Sequence, residues 1–110
     1  MKQGEIWKAE LNPVKGREQA GERPVLIISG NLLNDNTEIV IVCPLTSKIK
    51  RYHGNLILDP NSENGLKKQS EVLTWQIRTL AKPRLLEKLG KISKADVNKV
   101  HKSLNDILHY

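Results

Sequence analysis

Residues 5–11 alternate, with Trp7, Ala9 and Leu11 on one side and Lys8 and Glu10 on the other. A period of two sends successive side chains to opposite faces, so this stretch predicts a half-buried strand. The Asn12-Pro13 step ends it, because proline has no N–H to give to a ladder. The run 24–29 (Pro-Val-Leu-Ile-Ile-Ser) is apolar without alternation and predicts a strand buried on both sides. Residues 38–45 read the same way, and 30–37, with Asn and Asp around Leu32-Leu33, predict a turn or one helical turn between them. Residues 55–59 and 70–74 are shorter strand-like stretches, joined by a turn-rich connection through Asn61, Asn64 and Gly65. Gln76-Ile77-Arg78-Thr79 has no period and predicts a turn. Residues 85–89 fit strand or helix; Gly90 breaks them, and Lys91-Ile92 adds a short strand. Ser93-Lys94-Ala95-Asp96 has the Ser-x-x-acid form that opens a helix. Val97, Val100, Leu104, Ile107 and Leu108 then recur at helical spacing, giving about four turns with one buried stripe.

Five or more short strands followed by one helix predict a mainly β fold: a small, curled, barrel-like sheet packed by that helix. The chain has 110 residues, the length of one domain, spanning 1–110. There is no Phe and there are only two Trp. Trp7 is therefore expected as a core anchor, and burial is the favoured reading of Trp75 as well. Cys43 sits in the apolar run 39–45 and is expected as a small buried thiol; a lone cysteine permits no internal disulfide, which fits a reducing compartment. No amino-terminal apolar segment resembles a signal peptide, and no run approaches the roughly 20 apolar residues of a membrane span. The expectation is a cytoplasmic protein with no membrane partner.

Charge sharpens the choice of partner. Lys and Arg number 18 against 12 Asp and Glu, a net charge of +6, with an isoelectric point near 9.6. Such a balance favours polyanions, a nucleic acid or an acidic protein. Candidate chemistry gathers in four places. The loop Gly16-Arg17-Glu18-Gln19-Ala20-Gly21-Glu22-Arg23-Pro24 holds two glycines, a proline and four charges between two strands. Proline fixes where the next strand begins, so Arg23 stands at a sheet mouth, either as a bidentate phosphate ligand or in an ion pair with Glu18 or Glu22. Thr46, with Ser47 beside it, lies where a buried strand meets a basic loop; its hydroxyl can hold a phosphate or ribose oxygen, or cap the turn. Lys48, Lys50, Arg51 and His53, with Lys67 and Lys68 on the next connection, line a groove for a single strand or form a solvated loop, and Tyr52 among them can stack a base. Gln76 can read a base edge and Arg78 a phosphate. No His, Cys and carboxylate spacing suggests a metal, and no glycine-rich nucleotide loop or Ser-His-Asp grouping is present.

These segments together resemble a known family. Gly4-Glu5-Ile6-Trp7, Leu11-Asn12-Pro13, the Glu18-Gln19-x-Gly21-x-Arg23-Pro24 stretch, Val42-Cys43-Pro44-Leu45-Thr46-Ser47, Gly65-Leu66, Ser70-x-Val72 and Gln76-Ile77-Arg78-Thr79 are similar in order and spacing to the MazF/PemK (Kid) toxins of type II toxin–antitoxin systems. The resemblance implies an SH3-like β-barrel of the CcdB/MazF/PemK plasmid-toxin type with a carboxy-terminal helix, in a homodimer. It implies a metal-independent, cofactor-free endoribonuclease, an mRNA interferase, that cuts single-stranded RNA at specific sequences and so inhibits translation and growth. The implied partner is an antitoxin with an acidic, disordered tail, and DNA is met only indirectly through it. The MazF-type catalytic pair falls on Arg23 and Thr46; around it RNA contacts are expected on Glu18, Gln19, Ser47, Lys48, Lys50, Arg51, His53, Gln76, Arg78 and Thr79. The acid–base set of the PemK branch is absent, since this chain has Trp75, Leu73 and Arg17 at those positions. Two alternatives share the fold: a gyrase-directed toxin of the CcdB kind, whose Trp-Gly-Ile tail is here replaced by Leu108-His109-Tyr110, and a weakly active RNA- or antitoxin-binding module.

The implied reaction needs few groups. The ribose 2′-hydroxyl attacks the adjacent phosphorus and leaves a 2′,3′-cyclic phosphate and a 5′-hydroxyl. Charge builds on the non-bridging oxygens, where fixed donors lower the barrier. Arg23 would stabilise that charge and Thr46 would hold a phosphate oxygen or orient the 2′-hydroxyl. Arginine stays protonated, so it is no general base; His53 is the ionisable group left for that task if its loop closes over the substrate.

Overall fold

The computed structural model describes residues 1–12, 21–52 and 54–110. Its strands are β1 (Glu5–Glu10), β2 (Glu22–Ile27), β3 (Ile39–Thr46), β4 (Ile57–Leu58), β5 (Ser70–Val72), β6 (Arg78–Ala81) and β7 (Leu85–Lys91). A short helix α1 (Asn31–Asn36) follows β2, and α2 (Lys94–His109) follows β7. All pairings are antiparallel, in the order β4-β5-β3-β2-β1-β7, with β6 also on β3. The result is the expected curled sheet with a helix after its last strand. None of the described helices is long and apolar enough to cross a membrane.

The unalternating strands are apolar because both their faces are buried. In β2 and β3, Leu26, Cys43 and Leu45 join Ile6, Val72 and Val100 of α2 on one side. Val25, Ile27, Val40 and Val42 join Ala9, Leu11, Leu80 and Leu85 on the other. Fully burying one such side chain contributes about 1.5–3 kcal/mol, so these two strands anchor the fold. Trp7, expected as a core anchor, is only partly buried and packs against the second cluster from outside. Cys43 is fully buried, and burial pushes its thiol up to about 12.

Pro44 occupies a central strand, where proline removes a ladder hydrogen bond. Its position is explained by a change of partner. The first half of β3 pairs with β6 and its end pairs with β5. Between the pairs Leu45–Val72 and Val42–Arg78, β3 advances three residues while the opposite edge advances six. The surplus is taken up by a 3-10 turn over Thr74–Gln76, and Pro44 sits where the ladder is already interrupted.

Several expectations change. The strand-like stretch 70–74 stops at Val72, that of 55–59 shrinks to Ile57–Leu58, and the turn expected at 76–79 becomes the end of the 3-10 turn plus the start of β6. Gly90 does not break β7, which runs unbroken to Lys91. A Cβ there would meet Glu63 O at 2.2 Å, and one on Gly65 (φ +66°) would meet Leu89 O at 1.9 Å. The two glycines let the turn 61–65 lie directly on β7, so Gly90 marks a close approach. In α2 the cap is as read: Ser93 Oγ accepts from Asp96 N–H at 3.1 Å. The buried stripe is shorter than expected. Val97, Val100 and Ser103 are buried and Leu104 packs partly buried against the first cluster, whereas Ile107 and Leu108 are exposed. Trp75 is also not core: the 3-10 turn lifts it out of the ladder, and it is 47% exposed.

Candidate active site

Arg23 and Thr46 stand toward the same end of the β2–β3 pair. The paired stretch ends at Val25 opposite Pro44; Arg23 lies two residues before Val25 and Thr46 two residues after Pro44. Arg23 is exposed and sits opposite Ala9 of β1. Thr46 is half-buried, in register with Glu71 of β5. Its Oγ1 accepts from Lys48 N–H at 3.1 Å, so the turn-holding role weighed above is realised. A hydroxyl that accepts one bond still has a proton to donate.

A cavity of about 320 Å³ opens at this end. Arg23, Ser47, Lys67, Lys68, Lys8 and Glu87 supply its charged and polar walls, with Leu45, Leu66 and Leu89 as apolar wall. Four cations face one carboxylate there, so the cavity favours an anion. Lys8 is shared between Glu22 at 3.6 Å and Glu87 at 3.9 Å. Both are exposed pairs, which water and salt screen strongly.

The basic loop after Thr46 is ordered by a residue that the sequence reading passed over. Glu71 is completely buried. Its Oε1 accepts the N–H groups of Lys50 and Arg51, each at 2.8 Å, and its Oε2 accepts Tyr52 N–H at 3.0 Å and Asn55 Nδ2 at 2.9 Å. Successive backbone N–H groups turned to one point form an anion nest, and here the chain fills the nest with its own carboxylate. The loop passes through the left-handed region at Arg51, φ +56°, a conformation these bonds hold. Burial alone would raise the Glu71 pKa; the Asn55 amide and the three backbone donors outweigh it and lower the value below 4.5. The only hint in sequence is one acid inside the apolar stretch Ser70-Glu71-Val72-Leu73. Lys48, Lys50 and Arg51 point their charges into solvent as exposed side chains.

The Gln76–Thr79 group lies on the other edge of β3. Gln76 is half-buried at the end of the 3-10 turn, Arg78 pairs with Val42, and Thr79 is exposed opposite Ile41. Arg78 Nη1 makes a long contact of 3.5 Å to Leu11 O. Arg84 Nη1 donates to Glu10 O at 3.3 Å and also to Asn12 O. Leu11 N–H meets Gly21 O at 3.0 Å. Arg78 and Arg84 therefore brace the base of the loop between β1 and β2. The structure thus brings Arg23, Thr46, Ser47 and the Lys67-Lys68 pair to one end, with Lys48, Lys50 and Arg51 on the adjoining loop. Glu18, Gln19 and His53 lie outside the described residues. Among the described residues, no three His, Cys, Asp or Glu side chains gather as a metal would require.

Comparison with known proteins agrees with this picture. The family model for the PemK-like, MazF-like toxin of type II toxin–antitoxin system matches residues 2–108. Endoribonuclease MazF of Staphylococcus saprophyticus is 37% identical over 106 residues, covering 96% of this chain and 88% of that protein. The crystal structure of MazF (Form-I) from Deinococcus radiodurans superposes with a TM-score of 0.84 at 28% identity, covering 100% of this chain and 97% of that one. A mycobacterial endoribonuclease solved in complex with its cognate antitoxin gives 0.81 at 27% identity, covering 98% and 94%. With a family match from residue 2 to residue 108 and a fold shared along the whole chain, this protein belongs to the PemK-like, MazF-like toxins of type II toxin–antitoxin systems.

Proposed function

We propose that this toxin is a sequence-specific endoribonuclease that cuts single-stranded RNA, chiefly mRNA, without a metal, and that Arg23 and Thr46 are its catalytic pair. The observation that supports the assignment is the cation-rich cavity whose wall includes Arg23 and Ser47, the residue after Thr46. Arg23 holds the scissile phosphate and stabilises the charge that grows on its non-bridging oxygens. The Thr46 hydroxyl donates to a phosphate oxygen or aligns the 2′-hydroxyl. The 2′-hydroxyl gives its proton to water as the 2′-oxygen bonds to phosphorus, the bond to the 5′-oxygen breaks, and that oxygen takes up a proton from water, giving a 2′,3′-cyclic phosphate and a 5′-hydroxyl. Alignment of attacking and leaving oxygens supplies part of the acceleration. Ser47, Lys48, Lys50 and Arg51, with Gln76, Arg78, Thr79 and the flanking Glu18, Gln19 and His53, contact the strand on either side of the cut.

An antitoxin regulates this activity through an acidic, disordered segment laid over the same cations, and through it the toxin meets DNA. The net charge of +6 supports that reading, as does the mycobacterial neighbour solved with its antitoxin. The working form is a cytoplasmic homodimer, which would cover the apolar side chains of Ile107 and Leu108. Digestion of a defined RNA in EDTA tests the assignment. Arg23→Ala and Thr46→Ala, each checked for folding, should cut on the order of 10²–10³ more slowly, and both cutting at the wild-type rate would remove the pair from the mechanism.

A further inference from the structure

Tyr52 and Trp75 stand beside this site and have no part in the scheme above. We propose that they form a stacking step for one unpaired base of the RNA, and so help to set which nucleotide flanks the cut. The inference rests on the reading that the substrate is RNA.

Their ring centroids are 5.8 Å apart with planes at 77°, an edge-to-face pair. Each side chain is 47% exposed, in a chain that has only two Trp, two Tyr and no Phe. Three of the four large aromatics are exposed, the last of them Tyr110 at position 110, while the core is built from aliphatic residues. Both are held on fixed backbone. Tyr52 N–H is bound by Glu71, which is itself in register with Thr46, so the backbone at Thr46 is linked through one residue to the aromatic pair. Trp75 sits in the 3-10 turn closed by Gln76 N–H to Leu73 O at 3.0 Å; the turn lies against β3 and α2, and its first residue, Thr74, is buried. The three surplus residues opposite Pro44 push the indole outward instead of continuing the ladder.

An edge-to-face pair leaves ring surface free for a third flat group, and every base offers a π face. The exposed cations of Lys48, Lys50 and Arg51 lie on the same loop as Tyr52, where they complement the phosphates on either side of a stacked base. Those charges favour a nucleic acid over an apolar protein face.

The test uses short RNAs with a defined cut, each carrying an abasic nucleotide at one flanking position. For the wild type, one position should raise KM roughly 5- to 100-fold with kcat nearly unchanged, the effect of one lost base–aromatic stack. Trp75→Ala should raise KM by a similar factor on intact RNA and become indifferent to that abasic position, while Trp75→Phe keeps most of both. Binding of an RNA with 2′-deoxyribose at the cut should quench indole emission in the wild type and much less in Trp75→Phe, which leaves Trp7 as reporter. Wild type that is quenched but cuts nothing would support stacking and overturn the cleavage reading. Wild type that cuts, with Trp75→Ala keeping the full abasic penalty, would overturn stacking and leave cleavage standing. Loss of self-association by Trp75→Ala in sedimentation, with its abasic response unchanged, would assign the pair to an interface between copies and overturn the proposal.

Discussion

At the scale of single residues, Glu71 does more to shape the site than any charge in the basic loop. Its two oxygens accept four N–H groups, and an amide cannot replace it. Either orientation of Gln would turn an NH₂ toward two donors. Glu71→Gln should therefore lower stability by about 2–4 kcal/mol and speed hydrogen exchange at the Lys50, Arg51 and Tyr52 amides. Urea denaturation at pH 7 checks this; a midpoint equal to the wild type would show that the carboxylate does not hold the loop. The pH dependence has a definite sign. The folded pKa is lowered below 4.5, so the carboxylate contributes fully above that ordinary value, and its contribution is lost as pH falls through the lower folded value. The wild type should lose stability below about pH 5, and Glu71→Gln should show a flatter acid limb. Neither the buried carboxylate nor the exposure of Trp75 was legible in sequence. Local pattern reports polarity and period, whereas both outcomes depend on which backbone donors and which packing surface arrive from elsewhere in the chain.

Elements were legible in kind more than in extent. The unalternating runs became β2 and β3, and the Ser93 cap opened α2 at Lys94. The 5–11 alternation became β1, although Ile6 also enters a core cluster from the opposite face. Gly90 misled because glycine has two uses, breaking an element or admitting another backbone, and the second needs a contact far along the chain. The turn 61–65 tests that use. Gly65 has φ +66° and no room for a Cβ beside Leu89 O, so Gly65→Ala meets both a strained conformation and rigid backbone. It should lose at least about 2 kcal/mol, read as a fall in the thermal midpoint. An unchanged midpoint would mean that the turn does not lie on β7 in solution.

The whole molecule adds what no element carries, a cavity bordered by four cations from three segments: Lys8, Arg23, and the adjacent Lys67 and Lys68. Each phosphate neutralised on a single strand contributes a log–log slope of about −0.7 in salt. If three or four of these cations bind phosphate, affinity for an uncleavable RNA should fall with a slope of about −2 to −3. Fluorescence anisotropy between 50 and 200 mM salt, roughly the range in which such a dependence is large, measures it. Affinity that stays flat over that range would argue against a phosphate-lined cavity.

Residue type at short spacing was enough to specify the strand-rich class, the apolar strands, the capped helix, the family likeness and the basic character. It also marked Arg23 and Thr46, through the proline beside one and the strand end at the other. Long-range packing alone settled that these two stand toward one sheet end, that the anion nest is filled from within, that β3 changes partner at Pro44, and that Trp75, Ile107 and Leu108 meet solvent. Those outcomes depend on register and on which surfaces meet, and both are settled by pairing between segments far apart in the chain.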